Sequence, residues 1–486
     1  MGSIASDRLA IVAADGVFSY FDLSEAAARV AAGLTEGRDD LREQRVAFLV
    51  PPSFAYVVVS RGIWLAGGVA VPLAVSHPPA ELEHVVRDSG AAIVVGGGRQ
   101  TEALEAIAAS AGARFVRTAD LLAGEGIRDH VCDRADDGAI ADLTPERRAL
   151  ILYTSGTTGR PKGVVITHAN YTAQLASLVT AWEWTRDDRA LLVLPLHHVH
   201  GIVNVLGCAL AAGAACEILP QFEPEAAWER LASGEITVFS AVPTIYRRLI
   251  QSFDAAPPAL QRARSAGCRR VRLMMSGSAA LPVQTLERWR EISGHTLLER
   301  YGMTETGMIL SNPLHGTRRP GFVGTPLPDV EVRIVDGEID VRGPGVFGEY
   351  WNRPDETRDA FRDGWFRTGD VAIAPDDAGG AVRLLGRTSV DIIKTGGYKV
   401  SALEIEEVIR EHPAVTDCAV VGVPDDEWGE RVSASVELRD GASLTLDELQ
   451  AWTKARLAPY KVPKALHAVR ALPRNAMGKV IKKGPS

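Results

Sequence analysis

A segment rich in glycine and hydroxyl side chains, with one lysine, interrupts two apolar runs within residues 148–167. Glycines let the backbone approach an anion closely, while hydroxyls, amides and an ammonium group offer donors and charge to phosphate oxygens. The pattern is not a Walker A loop, because Gly163 and not Ser or Thr follows Lys162. Composition alone also fits an ordinary hairpin turn. The candidate phosphate-binding residues are Thr154, Ser155, Gly156, Thr157, Thr158, Gly159 and Lys162.

A second segment, 299–305 with the sequence ERYGMTE, combines an aromatic ring, a glycine and acidic side chains. Tyr301 offers a stacking face to a flat ligand, and Gly302 allows a close backbone approach. Glu305 offers a carboxylate oxygen to a divalent cation. Such a short pattern is also typical of a polar loop. A turn of small residues at 276–281 follows an apolar run farther upstream.

Charged residues in the last part of the chain extend this set. Asp370 follows a Gly-containing turn, where a carboxylate can accept hydrogen bonds from both hydroxyls of a ribose. Without context, a solvated turn aspartate is the simpler interpretation. Lys479 would by itself be interpreted as a surface lysine.

The content and order of these segments resemble the adenylate-forming superfamily. That superfamily comprises acyl- and aryl-CoA synthetases, firefly luciferase and the adenylation domains of peptide synthetases. The resemblance spans nearly the whole chain. It implies an α/β fold, with a large multi-layer N-terminal domain of α/β subdomains plus a small β-barrel, and a small mobile α+β C-terminal domain. The boundary is expected after Gly386-Arg387, which gives domains 1–387 and 388–486.

The resemblance also implies roles in binding ATP. Tyr301 would stack on adenine, and Asp370 with Arg387 would hold the ribose. Thr304 would contact the α-phosphate, and Glu305 would bind Mg²⁺. The turn of small residues would frame the adenine. The further residues expected around the nucleotide are Ser276, Gly277, Ser278, Ala279, Glu299 and Gly302.

Members of this superfamily activate a carboxylic acid in two steps. The carboxylate attacks the α-phosphate of Mg·ATP, and a thiol such as that of coenzyme A then attacks the resulting mixed anhydride. In relatives the C-terminal domain turns between the steps and withdraws the catalytic lysine, here Lys479. It then presents a Gly-rich hairpin to the thiol, here Gly396, Gly397 and Tyr398. The hinge residue, usually Asp or Lys in relatives, is Ser389.

Residues 195–201, 242–248, 276–282 and 298–303 resemble the corresponding segments of malonyl-CoA synthetases. Residues 386–404 are similar to the mitochondrial branch of that family. In a dicarboxylate, one carboxylate reacts and the other keeps its charge, which must be paired if it is buried. Arg300 and Arg248 are the candidates to pair it through charge-assisted hydrogen bonds. Arg248 also fits an exposed helix position. The resemblance implies that His198 and Met303 line the acid pocket, and His198 is counted among the catalytic candidates.

Three histidines, His197, His198 and His200, lie within four positions, a spacing that can hold a metal. Neither a cysteine nor a further carboxylate is close in sequence, and the ATP chemistry requires only Mg²⁺. We therefore expect no other metal, and we interpret His200 as a buried histidine behind the pocket.

Other functions share these motifs. A CoA ligase for a fatty or aromatic monocarboxylic acid would keep the ATP site and use the arginines structurally. A stand-alone adenylation protein would load the phosphopantetheine arm of a carrier. Basic lining around Arg248 and Arg300 would favour the dicarboxylate ligase over both. A non-catalytic nucleotide-binding regulator is the remaining alternative. Four intact residues argue against it: Lys162, Glu305, Asp370 and Lys479.

The elements that must position these residues alternate between strands and helices, as in an α/β domain. The predicted strands lie at 46–50, 69–73, 92–95, 191–194, 236–239 and 271–275. The predicted helices lie at 54–66, 202–212 and 402–411. Short alternating strands with Gly-Pro turns follow at 329–346, and a Gly-rich hairpin at 394–399.

Composition limits the class of protein. The chain has 486 residues, 46% hydrophobic and 23% charged, which suits a globular protein of two or more domains. A net charge of −8 argues against general nucleic-acid binding, and no apolar run reaches the roughly 18 residues of a membrane helix. Five dispersed cysteines without CxxC spacing favour a reducing, cytoplasmic location. The expected partners are ATP, Mg²⁺, coenzyme A and a small dicarboxylate.

Overall fold

The computed structural model describes residues 6–123, 143–154, 161–375, 379–395, 398–475 and 478–482. Two mixed sheets, of nine and seven strands, form most of the N-terminal part. The order of the first is Thr325–Pro326, Gly307–Ser311, Leu298–Met303, Leu273–Ser276, Val238–Ala241, Arg189–Leu192, Ala215–Ile218, Leu9–Ala13 and Gly16–Ser19. The order of the second is Glu349–Tyr350, Lys162–Thr167, Arg148–Thr154, Val69–Pro72, Arg45–Leu49, Ile93–Gly96 and Arg114–Arg117. Their central strands are parallel and buried, which explains why they are continuous apolar runs.

Helices connect the parallel strands, as parallel pairing requires. Local sequence fixes several helix ends. Ser19 and Asp22 form a capping box at the start of the first helix, and Gly90, with φ of 59°, ends the third in a left-handed conformation. The N-terminal helices are Tyr20–Thr35, Phe54–Leu65, Pro79–Ser89, Thr101–Ala111, Thr118–Ala123, His168–Ala181, Cys208–Ala211, Pro224–Ser233, Pro243–Ala255, Pro258–Cys268 and Val283–Ser293.

A smaller antiparallel sheet of five strands follows. Its order is Glu331–Val335, Glu338–Arg342, Trp365–Ile373 and Phe361–Arg362, with Arg383–Arg387 also paired to Trp365–Ile373. A short helix, Pro354–Ala360, precedes the strand that begins at Phe361.

The C-terminal part has its own five-stranded sheet and its own apolar core. The strands are Tyr398–Ser401, Ile392–Thr395, Gly429–Leu438 and Val415–Asp425 in spatial order, with Ala465–Val469 parallel to Gly429–Leu438. The helices Ala402–Arg410 and Leu446–Lys454 belong to this part. Ile393, Ile405 and Val420 are members of a cluster of buried residues separate from those of the N-terminal part.

The predicted elements exist, but some of their ends differ. The strands predicted at 236–239 and 271–275 begin two residues later, at Val238 and Leu273. Ile236 and Val271 are buried although they precede these strands. The apolar residues therefore marked the buried part of the chain, which begins before the hydrogen-bonded strand does. The predicted helix 202–212 is π-helical over His200–Gly207 and α-helical over Cys208–Ala211. A pattern of eight residues does not separate a period of 3.6 from a wider one.

None of the helices in the described ranges combines the length and the apolar character needed to cross a membrane.

Candidate active site

The carboxyl ends of three neighbouring parallel strands, Val238–Ala241, Leu273–Ser276 and Leu298–Met303, lie at one edge of the nine-stranded sheet. Open α/β sheets bind their ligands at this kind of edge, outside the carboxyl ends of the strands. Ser240 lies near the end of the first strand, and Arg300 lies just beyond the parallel ladder of the third. This edge therefore carries a cluster of polar side chains.

Arg300 is buried, with 3% of its surface exposed, yet none of its guanidinium nitrogens has a hydrogen-bond partner among the described residues. Burial lowers the pKa of this guanidinium to about 9, and Tyr246 opposes that effect. Gly277 makes the room, because a Cβ there would lie 1.9 Å from Nη1 of Arg300. A buried cation without a partner is costly, so this position is suited to receive an anion.

His200 interacts electrostatically with Arg300 and is held by two serines. Its Nδ1 lies 3.0 Å from Oγ of Ser278, and its Nε2 lies 2.8 Å from Oγ of Ser240. Burial, reinforced by the charge of Arg300, lowers the pKa of His200 well below its ordinary value, so the ring is neutral. Because both ring nitrogens are engaged, His200 connects Ser240 on its strand with Ser278 on the turn that follows Leu273–Ser276.

His198 and His197 stack obliquely, with ring centroids 4.1 Å apart, and His77 lies 5.8 Å from His197. Burial lowers the pKa of His198 to about 4 and that of His197 to about 2. Both rings are therefore neutral near pH 7. Within the described ranges, no group of three or more His, Cys, Asp and Glu side chains is suited to a metal ion.

Three residues expected at the nucleotide form one hydrogen-bonded chain. The hydroxyl of Tyr301 donates to Oδ2 of Asp370 at 2.5 Å, and Nε of Arg387 donates to Oδ1 of Asp370 at 2.8 Å. Asp370 and Arg387 are also register partners on adjacent strands. Burial and the nearby carboxylate raise the pKa of Tyr301 well above its ordinary value, so the phenol keeps its proton and donates. The chain joins the nine-stranded sheet to the antiparallel sheet.

Glu305 and Lys162 both contact the side chain of Tyr350. The Tyr350 hydroxyl donates to Oε1 of Glu305 at 3.0 Å, and the Lys162 ammonium lies 5.3 Å from the centre of the Tyr350 ring. Lys162 also forms an ion pair with Glu356. Burial raises the pKa of Glu305, which marks a carboxylate that would gain from a cationic partner. The two sheets thus bring a cation and a carboxylate to one place.

Two further expected residues are closely packed. A Cβ at Gly302 would lie 2.0 Å from the carbonyl oxygen of Gly307, so only glycine fits there. Glu299 is buried and accepts the backbone N–H of Gly321 at 3.0 Å. Burial, with a contribution from Glu407, raises the pKa of Glu299 to about 8. Thr304 and Met303 are half-buried on the same segment, and Ala279 is half-buried on the turn that follows Ser278.

Part of the phosphate-binding segment lies outside the described residues, namely Ser155, Gly156, Thr157, Thr158 and Gly159. Its two ends are described. Thr154 and Lys162 are register partners on antiparallel strands.

The remaining candidates belong to the C-terminal part. Lys479 is exposed, and the adjacent Gly478 packs against Thr244 of the N-terminal part. Tyr398 is 54% exposed and stacks on Tyr460, with centroids 4.1 Å apart. Ser389 is exposed between the antiparallel sheet and the C-terminal sheet. Gly396 and Gly397 lie outside the described residues.

The structure does not bring Arg248 together with Arg300. Arg248 is exposed on the helix Pro243–Ala255, and its guanidinium lies 4.8 Å from the centre of the Phe222 ring. Of the two arginines expected to bind the acid, one is in the buried cluster. The orientation of Arg248 follows from helical geometry, because successive residues of a helix point in directions about 100° apart.

Sequence reasoning missed two residues of the site. Tyr350 connects Lys162 with Glu305. Asn204 is fully buried on the π-helical segment, and neither polar atom of its amide has a hydrogen-bond partner that the described residues provide. A single asparagine four residues after His200, inside an apolar run, was the available signal.

Two family descriptions match the chain. The description AMP-binding enzyme matches residues 4–351, and AMP-binding enzyme C-terminal domain matches residues 404–479. The chain belongs to the AMP-binding enzyme family.

Named relatives of this AMP-binding enzyme include malonate–CoA ligases. It is 46% identical over 520 residues to the mitochondrial malonate–CoA ligase ACSF3 of Bos taurus, with 98% of this chain and 87% of the relative covered. It is 42% identical over 531 residues to a malonate–CoA ligase of Arabidopsis thaliana, with coverages of 99% and 86%.

Two solved structures are informative for this AMP-binding enzyme. ATP-bound MatB from Rhodopseudomonas palustris superimposes with a TM-score of 0.88 at 35% identity, over 99% of this chain and 97% of that one. A malonyl-CoA ligase in a ternary product complex with methylmalonyl-CoA and AMP gives 0.68 at 38% identity, over 97% and 98%. These likenesses confirm the predicted superfamily and the predicted fold class.

Proposed function

We propose that this AMP-binding enzyme is an ATP-dependent malonate–CoA ligase, acting on malonate or a small 2-substituted malonate. The observation that carries the proposal is the buried guanidinium of Arg300, which has no hydrogen-bond partner in the part of the chain that the structure describes. A second carboxylate on the substrate would pair it, whereas a fatty acid would leave it unpaired against an apolar chain. The relatives named malonate–CoA ligase support the same substrate class.

In the first step, a carboxylate oxygen of malonate attacks the α-phosphorus of ATP. The bond from that phosphorus to the bridging oxygen breaks, and pyrophosphate leaves. Arg300 holds the distal carboxylate, so that the proximal one faces the phosphate. Lys479 and Lys162 offer positive charge as negative charge moves onto the leaving group.

The nucleotide is positioned by the chain of Tyr301, Asp370 and Arg387. In this proposal the ring of Tyr301 lies against adenine, while Asp370 accepts from the ribose hydroxyls. Arg387 already binds that carboxylate at 2.8 Å, so the side chain is fixed before the ribose arrives. Thr304 contacts the α-phosphate from the end of the same segment as Tyr301.

Glu305 fits a magnesium ion that enters with ATP. Its carboxylate is buried, and burial raises its pKa, so a divalent cation would stabilise the ionised form. Tyr350 orients one of its oxygens by a hydrogen bond of 3.0 Å. When bound, the ion supplies neutralisation of phosphate charge.

In the second step, the thiol of coenzyme A attacks the carbonyl carbon of malonyl-adenylate. The bond from that carbon to the phosphate oxygen breaks, AMP leaves, and the thiol proton is lost to solvent. The hairpin that contains Tyr398 is proposed to guide the thiol after the C-terminal domain turns about Ser389. The product is malonyl-CoA.

A substrate panel tests the proposal. Release of pyrophosphate and formation of thioester are measured with malonate, methylmalonate, butyrate and benzoate, each with ATP, Mg²⁺ and coenzyme A. We expect a clear preference for the dicarboxylates in kcat/KM. Preference for butyrate or benzoate would establish a monocarboxylate ligase, and nucleotide binding without pyrophosphate release would establish a regulator.

We propose a cytoplasmic location. The four described cysteines are free and buried, which suits a reducing compartment. The animal relatives are named as mitochondrial proteins, so fractionation of the native cells is the appropriate measurement.

A further inference from the structure

The segment that carries Lys479 is held at its base by two carboxylates of the C-terminal sheet. We call residues 472–482, of which 476–477 are not described, the lysine segment. Asp417 and Glu437 are register partners on two antiparallel strands. Asp417 forms an ion pair with Arg474, and Oε1 of Glu437 accepts the backbone N–H of Leu472 at 2.6 Å. Both carboxylates thus fix the start of the lysine segment.

Arg247 reaches the same two carboxylates from the N-terminal part. It lies on the helix Pro243–Ala255, which we call the pocket helix. Its Nη1 donates to Oδ2 of Asp417 at 3.1 Å, and its Nη2 lies 3.9 Å from Oε2 of Glu437. The side chains of Asp417 and Glu437 are only 12% and 14% exposed, so these attractions are partly shielded from solvent.

The other end of the lysine segment touches the pocket helix as well. Gly478 has a φ of +74°, and a Cβ on it would lie 2.7 Å from Oγ1 of Thr244. Thr244 precedes Arg247 by three residues, so both lie on one face of the helix, a turn apart. One helix face therefore contacts the base of the lysine segment and the residue next to Lys479.

The pocket helix is also attached to the acid pocket. The hydroxyl of Tyr246 donates to the backbone oxygen of Met275 at 2.8 Å, at the strand that leads to Gly277. Tyr246 interacts electrostatically with Arg300. A single rigid element thus connects the site of the acid with the position of the catalytic lysine.

We propose that Arg247 is a positioning residue for the adenylation step. Its contacts with Asp417 and Glu437 hold the C-terminal domain in the orientation that brings Lys479 towards the acid pocket. The proposal rests on the proposed ligase function. The higher TM-score to the ATP-bound neighbour, 0.88 against 0.68 for the product complex, agrees with an orientation that precedes the thiol step.

This role has a consequence for both half-reactions. A contact made in one of two domain orientations shifts the balance between them by its own free energy. Loss of the Arg247 contacts therefore lowers the fraction of molecules ready for adenylation. The same loss raises the fraction ready for the thiol, because the contacts must break before the domain turns.

The test uses Arg247→Met, which removes the charge and keeps the length, and Arg247→Lys, which restores a charge. Malonate-dependent exchange of pyrophosphate into ATP reports adenylation, and thioester formation from supplied malonyl-adenylate reports the second step. For Arg247→Met we expect exchange to fall about tenfold or more, in the range for a hydrogen bond between charged groups. The thiol step should stay equal to the parent's or become faster, and Arg247→Lys should recover part of the exchange.

The matched control is Arg288→Met. Arg288 forms an ion pair with Asp254, which lies on the pocket helix as Arg247 does. Unlike the pairs of Arg247, this pair lies entirely within the N-terminal part. This variant should leave both half-reactions at the parent's rates. Unchanged exchange in Arg247→Met, or an equal loss in both half-reactions, would overturn the proposal.

A second measurement needs no turnover. Small-angle X-ray scattering of the ATP-bound protein should show a larger population of other domain orientations for Arg247→Met than for the parent or Arg288→Met. Identical scattering for all three would also overturn the positioning role. If the parent itself shows no malonate-dependent exchange, the ligase function fails, and the scattering result still decides the role of Arg247.

Discussion

The polar side chains at the carboxyl edge of the sheet differ in how far the protein satisfies them. His200 has a partner for each ring nitrogen. The guanidinium of Arg300, the hydroxyl of Ser276 and the amide of Asn204 are buried and have no hydrogen-bond partner within the described ranges. Buried polar groups in native proteins are nearly always paired, so each unpaired one calls for an explanation. For Arg300, the proposed acid supplies that explanation.

Arg300→Met separates acid recognition from general damage. The distal carboxylate of malonate would lose its partner in a buried site, which costs about 3–5 kcal/mol. We expect kcat/KM for malonate to fall by about a hundredfold or more. Butyrate, which has no second charge, should be a poor substrate of the parent and should lose much less. Initial rates with both acids give the answer, and an equal loss for both would contradict the role of Arg300.

His197→Phe tests the acid side of the stability profile. Burial holds the pKa of His197 at about 2 in the folded protein, against an ordinary value near 6.5. A lowered folded-state pKa stabilises the protein above pH 6.5, and this stabilisation is lost as the pH falls. From pH 6.5 to 5.5 the loss is about 1 kcal/mol for this one group.

The phenylalanine variant should therefore lose less unfolding free energy over that interval than the parent. Urea unfolding at the two pH values measures it. His315→Asn is the control, because His315 is an exposed histidine paired only with Glu183 among the described contacts. If the phenylalanine variant shows the parent's full pH dependence, His197 does not supply it.

At the scale of elements, the turn after the strand Leu273–Ser276 determines where the guanidinium of Arg300 can lie. The π-helical segment His200–Gly207 supports the opposite side through His200. Such wide helical turns are often found at functional sites, since they redirect a side chain within an otherwise regular helix. Strand ends, one turn and one irregular helix together build the pocket.

Gly277→Ala tests this arrangement. A Cβ would lie 1.9 Å from Nη1 of Arg300, so the guanidinium must move. Overpacking of this kind costs about 1–3 kcal/mol, and we expect KM for malonate to rise about tenfold or more. Gly348→Ala is a suitable control, because a Cβ there meets no atom within 4 Å. Steady-state kinetics with malonate compare the two, and a KM equal to the parent's in Gly277→Ala would show that the space is not needed.

Sequence patterns predicted the central strands well, because strands buried on both faces are continuous apolar runs. The patterns placed the first residues of two strands two positions too early, because Ile236 and Val271 are buried although they precede the hydrogen-bonded ladder. Sequence patterns did not distinguish Arg247, which contacts the C-terminal part, from the adjacent Arg248, which does not contact Arg300. Which of two successive helical residues meets another domain depends on packing across hundreds of residues, and no local pattern contains that information.

At the scale of the whole molecule, the two parts have separate cores and meet through a few polar contacts. Besides the contacts of Arg247, the backbone N–H of Val283 donates to Oε1 of Glu407 at 2.8 Å. The hydroxyl of Ser401 donates to the backbone oxygen of Leu385. An interface of this kind can open without unfolding either part, as the proposed turn of the C-terminal domain would require.

Lys479→Ala should separate the two half-reactions. Lys479 is exposed beside Gly478, which contacts the pocket helix, and we expect it to act on the α-phosphate. The variant should lose most of its malonate-dependent pyrophosphate exchange. It should still convert supplied malonyl-adenylate to the thioester, because in our proposal that step uses the hairpin that contains Tyr398 and not Lys479. Equal loss of both activities would exclude this division of labour.

The unpaired guanidinium of Arg300 also bears on how long the protein survives. Every ligand-free molecule keeps a charge in its interior that an apolar side chain would replace with a gain in stability. In our proposal malonate pairs that charge, so it would bind only the folded chain and would lower the fraction that is unfolded. Proteases act on that unfolded fraction. In a cell, the lifetime of the enzyme would therefore follow the supply of its own acid.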